Sequence, residues 1–181
     1  NGQGNIEFED AKFTSKAYKF GTNSFNSLSA DFTLISPDKR DVLLNVSAFK
    51  TDVDLIARKG EFESAGKSAR MEMPKNKMLC TVDAFDWMMD QRVVNLRNTA
   101  VVSAEAYVNK SQDQLIDFNS GNLRFVSTDP KQDSLSFFAT TSQYDMNKNV
   151  LEVADARIIK VADAAVFPKN GKVTINPDGK M

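Results

Sequence analysis

Carboxylates at a repeated spacing are the first residues in this chain able to do chemistry. Asp155 and Asp163 sit in Val153-Ala154-Asp155-Ala156 and in its return, Val161-Ala162-Asp163-Ala164. Asp10-Ala11-Lys12-Phe13 and Asp83-Ala84-Phe85 carry the same Asp-Ala start. Stacked in register, these side chains would form an acidic ladder that offers calcium hard oxygen ligands. No Asp-x-Asp-x-Asp-Gly loop accompanies them. The expectation is therefore structural: each aspartate fastens a strand end by accepting turn amides, beside an alanine small enough for close packing. Tyr144-Asp145, ahead of the polar turn Met146-Asn147-Lys148-Asn149, reads the same way, as an aromatic strand end followed by an Asx-type turn.

Other chemistries find less support. Histidine is absent, which removes the commonest general base and transition-metal ligand. The single cysteine, Cys80 between Leu79 and Val82, reads as a small buried hydrophobe. A Ser–Lys dyad is formally available between Lys67 and Ser64 or Ser68, but Ala65-Gly66 between Ser64 and Lys67 reads as a turn. Carboxylate pairs among Asp31, Asp38, Asp41, Asp129 and Asp133 would suit glycoside hydrolysis only across a cleft about 5–10 Å wide. Nothing in their spacing singles out a pair. No catalytic residue, metal or cofactor is assigned. The stronger lead is Phe85 with Trp87, Met88 and Met89, either a core plug or an exposed platform for a sugar ring or an acyl chain.

These residues must be held by strands. Asn5-Ile6-Glu7-Phe8-Glu9, Lys16-Ala17-Tyr18-Lys19-Phe20 and Arg70-Met71-Glu72-Met73 alternate apolar with polar, the period of a half-buried strand. Further strands are expected over 41–49, 52–57 and 60–64, and a hairpin turns at Met89-Asp90-Gln91-Arg92. Asn170-Gly171 is a strong turn signal. The reading is all-β: a long curled antiparallel sheet, jellyroll or solenoid-like stack of short strands. Residues 1–97 form a β-rich part, 98–121 a connector with room for one short helix, and 122–181 a β-repeat part. Of the 181 residues, 41% are hydrophobic, enough for a core, and 23 basic against 24 acidic side chains give a net charge of -1. That balance offers no basic face for nucleic acid. No apolar run reaches the about 20 residues of a membrane helix. Both ends read as the interior of a longer protein.

The run Ala139-Thr140-Thr141-Ser142-Gln143-Tyr144-Asp145, a turn, Val150-Leu151-Glu152-Val153, then Ala154-Asp155-Ala156-Arg157-Ile158 resembles the repeat of OstA/LptA-type lipopolysaccharide-transport proteins. Residues 125–135, followed by Val161-Ala162-Asp163-Ala164, resemble large uncharacterised envelope proteins of Bacteroidetes. The likeness covers about residues 121–176 and extends to 1–96 in texture alone. It implies short strands stacked into an open, twisted jellyroll, a periplasmic or cell-envelope location, and a non-catalytic role as scaffold or as a groove for a lipid or glycolipid. Partners would be the rest of the parent chain or another copy, joined through sheet edges. Asp133-Ser134-Leu135 is similar to the short O-glycosylation signal of that envelope, which makes Ser134 a candidate modification site. A glycan-binding module built on Trp87, and a histidine-free carboxylate hydrolase, are the alternatives from other classes.

Overall fold

Most of the alternating segments become strands and polar turns separate them, but the strand expected over 52–57 stops at Asp54, where residues 55–58 turn. The computed structural model describes residues 2–38, 40–65, 69–98 and 123–181, with 110, 111 and 114 between them. Among these are sixteen strands of one antiparallel sheet. They are β1 (Gly2–Glu7), β2 (Ala11–Phe20), β3 (Ser24–Ile35), β4 (Val42–Asp54), β5 (Lys59–Ser64), β6 (Ala69–Met73), β7 (Met78–Val82) and β8 (Ala84–Met88), then β9 (Val93–Arg97), β10 (Leu123–Ser127), β11 (Ser136–Ala139), β12 (Thr141–Asp145), β13 (Val150–Ala154), β14 (Ile159–Val161), β15 (Ala164–Val166) and β16 (Val173–Ile175). The all-β expectation holds. The expected connector at 98–121, with its short helix, falls almost wholly outside the described residues. No helix among the described residues is long and apolar enough to cross a membrane.

One strand divides the sheet. β4 pairs β3 along one edge. On its other edge, the first half meets β6 and the second half meets β5. Two wings grow from that fork. The first runs β6-β7-β10-β11-β14-β15 and the second β5-β8-β9-β12-β13-β16. Beyond β4 the chain crosses between wings at short corners, with only Asp83 between β7 and β8 and only Thr140 between β11 and β12. Strands from before residue 98 and after residue 122 therefore pair directly, β7 with β10 and β9 with β12. The break expected after Phe49 is absent. Thr51 stays buried and its hydroxyl donates to the Phe49 carbonyl, so β4 runs unbroken to Asp54.

The long strands bend where alternation slips by one residue. In β2, Lys16 and Ala17 both face solvent between inward Ser15 and Tyr18; in β3, Leu28 and Ser29 do so between Ser27 and Ala30. Ser47 and Ala48 repeat the pattern in β4. Two outward residues in succession bulge the strand, bending it and raising its twist. Small polar side chains fix these bends. The Oγ of Ser15 accepts the Ala17 N–H, the Oγ of Ser27 accepts the Ser29 N–H, and the two hydroxyls meet at 2.8 Å. Ala48 takes a left-handed φ of 62° and donates its N–H to the Asp31 carboxylate.

Apolar faces of both wings share one core. Phe125, Phe137, Met71 and Cys80 come from the first wing, and Phe62, Phe85, Trp87 and Tyr144 from the second. Burying this much aromatic surface is the dominant favourable term, at roughly 25 cal/mol per Å² of apolar area.

Candidate functional site

The aromatic lead lies inside the protein. Trp87 is 1% exposed, Phe85 is fully buried, Met89 is nearly so, and Met88 is half-buried. An exposed platform at Trp87 is thus corrected to a core plug. The reason is a partner that only strand pairing brings up. Gly60 of β5 lies opposite Trp87 of β8, and a Cβ on Gly60 would sit 3.4 Å from the indole Cε3 and 2.9 Å from the Phe62 ring. The absent side chain leaves room for the Phe62 ring, and the indole packs alongside at ordinary contact distance. Phe8 and Phe32 then close over it, with ring centroids 5.7 and 5.4 Å away. The indole N–H has no partner among the described residues.

The aspartates of the repeated word do not come together. Asp10 stands at the β1–β2 turn, where its carboxylate takes Arg92 at 2.9 Å and its carbonyl takes the Ile35 N–H. Asp83 is the corner between β7 and β8; its N–H donates to the Asn98 side chain and its carbonyl accepts the Ser64 N–H. Asp155 occupies the corner after β13 with φ 58°, its Cα packed where a Cβ on Gly171 would come within 3.1 Å. Asp163 is exposed in the β14–β15 turn. The alanine after Asp10, Asp83 and Asp155 is buried in each case. Among the described residues, no group of three or more acidic, His or Cys side chains is placed to hold a metal ion.

Asp145 accepts the Asn147 and Lys148 N–H groups, at 2.9 and 3.0 Å, in an Asx-type turn. Burial pushes its carboxyl up, but these amides and the Lys148 ammonium outweigh it and hold the group below the usual range. Tyr144 is fully buried, and burial first, then the charge of Asp145, pushes its phenol up. Burial also pushes the Cys80 thiol well up, which makes it unreactive. Ser134 is exposed in the β10–β11 turn with φ 60°. Of the proposed Ser–Lys dyad, Lys67 and Ser68 lie outside the described residues.

Sequence reasoning missed the residue that ties the wings together. Asn76, in the turn Pro74–Asn76 between β6 and β7, is fully buried. Its Nδ2 donates to the carbonyls of Asn149 and Ile175 on the second wing, at 2.8 and 3.2 Å. Gly179 packs on the Asn76 carbonyl, and Gln132 of the first wing donates to the Gly179 carbonyl at 2.6 Å. Met73 and Met78 flank this turn on one wing, and Met146 precedes Asn149 on the other; all three are buried. The Asn in Pro-Lys-Asn-Lys reads as an ordinary exposed turn, and nothing local separates it from one.

Asp129 also fastens a turn. It accepts the Lys131 N–H at 3.0 Å and faces the Lys77 ammonium at 3.0 Å, and these hold its carboxyl below the usual range. A carboxyl depressed in the folded state contributes stability above its unfolded pKa, about 4, and loses it as pH falls through the folded value. Asp129→Asn should therefore lower the urea midpoint above about pH 5, and the gap from wild type should close below about pH 3. Urea titrations across that range check it; a gap that is constant with pH would refute the assignment.

Compared with known proteins, the chain matches no family model, and no curated protein matches it.

Proposed function

We propose that this chain is a non-catalytic module of a cell-envelope β-repeat protein, a scaffold that continues its sheet into a neighbouring module through open edges. The observation that carries this reading is the state of the terminal strands. Among the described residues, β1 pairs only β2, β15 pairs only β14, and β16 pairs only β13. Open edges of this kind are templates for pairing with another chain. All of β15 is exposed, and Val166 and Phe167, each about half exposed, add apolar surface with no charged residue between them. The partner is the rest of the parent chain or another copy.

A second part of the reading is an amphipathic ligand, a lipid or glycolipid, which would enter between the wings by displacing side chains of the core they share. The methionines flanking the joined turns support it, because flexible thioethers repack around irregular apolar guests.

Sedimentation velocity over a wide concentration range tests the scaffold. Wild type should self-associate, and the doubly substituted Val166→Lys, Phe167→Lys protein should stay monomeric with unchanged circular dichroism. A wild type that remains monomeric at high concentration, alone and in the presence of its flanking sequence, would overturn edge pairing. Native mass spectrometry of freshly purified protein tests the ligand: a bound lipid supports carriage, and none leaves a scaffold alone.

A further inference from the structure

The outward face of the second wing carries a depression with a simple cause. Across β9, β12 and β13 the register aligns Arg97, Thr141 and Ala154, and Lys172 stands just ahead of β16 beside Ala154. Long side chains at both ends of this row flank short ones in the middle. Three inter-strand steps give a span of about 14 Å. The result is a trough of about 660 Å³ that these residues line.

The next row supplies its chemistry. Asn95, Gln143, Glu152 and Thr174 align across the same strands, and all four line the trough. Gln143 Nε2 donates to Asn95 Oδ1 at 2.8 Å. Among the described residues that bond leaves the Gln143 carbonyl and the Asn95 amide N–H groups without a partner, an acceptor beside a donor, which matches the hydroxyls of a vicinal diol. Glu152 is exposed and adds a charged acceptor, and Thr174 a hydroxyl. Arg97 is partly neutralised by Asp86 at 3.5 Å. Lys172 is exposed and has no ion pair among the described residues, so its ammonium is available to an anionic group. No aromatic ring lines the depression, so recognition would rest on hydrogen bonds and charge rather than stacking.

We propose that this trough binds an oligosaccharide bearing carboxylates, with hydroxyls read by the Asn95–Gln143 pair and Glu152 and a carboxylate held by Lys172. The trough takes in Thr174 of β16, one of the open edge strands, and Lys172 just ahead of it, but the sedimentation test acts on Val166 and Phe167 at the β15 edge, so the two readings fail separately. Affinity without stacking should be modest, roughly millimolar.

Heteronuclear NMR titration tests it, with an oligogalacturonate as probe, a maltooligosaccharide of equal length as the neutral control and polyglutamate as the anionic control. The expected result is shifts clustered at Asn95, Thr141, Gln143, Glu152 and Thr174 with the uronate chain alone. Lys172→Glu, and separately Thr141→Tyr, which fills the trough from an exposed position, should each weaken binding at least about tenfold with unchanged unfolding. Absent or scattered shifts would overturn the proposal. So would equal binding of either control, or binding that survives both substitutions.

Discussion

Phe62→Ala should cost about 4 kcal/mol, the largest single loss expected in this protein. The Phe62 ring is fully buried and stacks on Phe85 with centroids 4.2 Å apart and planes 9° apart. It also meets Phe32 at 4.5 Å and Phe13 at 6.0 Å. These partners come from β8, β3 and β2, so one side chain joins the forked strands to the second wing. Deleting it loses the transfer energy of the ring and leaves a cavity that its neighbours cannot fill without leaving their rotamers. Each aromatic pair adds about 0.5–1.5 kcal/mol beyond area burial. Domains of this size have total stabilities of about 5–15 kcal/mol, so a third or more of the margin would go. Urea denaturation should show a lower midpoint with an unchanged slope. Phe20→Ala is the control: that ring is 57% exposed, and its loss should shift stability by about 0.5 kcal/mol or less.

Asn76→Ala should cost about 3 kcal/mol, more than the turn position suggests. The substitution strips a donor from two carbonyls on the opposite wing, and unpaired buried polar groups cost about 1–3 kcal/mol each. Asn76→Asp makes a sharper test. An aspartate there would be buried facing two carbonyl oxygens, which disfavours its charged form and raises its folded pKa above the unfolded value. Stability would then be greatest below the unfolded pKa, about 4, and would fall as pH rises. Urea midpoints for this variant should decline from about pH 3 to pH 7 relative to wild type. A parallel pH dependence in both proteins would show that Asn76 is less enclosed than described.

Strand positions were largely legible because the side-chain period of a strand is local and equals two. Met71 and Met73 point inward beside Arg70 and Glu72 on those grounds alone, and Asp145 and Asn149 mark a turn by their own backbone preferences. The bends at Ser15 and Ser27 left a trace too, since inward positions there are spaced by three where two is the rule. At Ser15 and Ser27 the short polar side chain returns a hydrogen bond to the backbone two residues on, whereas in β4 the carboxylate of Asp31 takes that part.

Local period says nothing about which strand lies beside which. Trp87 reads from sequence as a core plug or, less favoured, a platform, because its burial depends on Phe8 and Phe32, residues of other segments that alternation does not link to it. Asn76 looked like a solvated turn residue, since its partners at 149 and 175 arrive only when the wings close. The trough at Thr141 and Ala154 exists because register sets Arg97 on one side and Lys172 on the other. The sequence by itself determined an all-β chain of short strands, their turns, and the aspartates at their corners. The fork at β4, the core of rings from both wings and the places where polar groups meet were decided by the tertiary structure alone. Pairing is non-local, and it is chosen by which apolar faces can be buried together with most buried backbone amides still bonded.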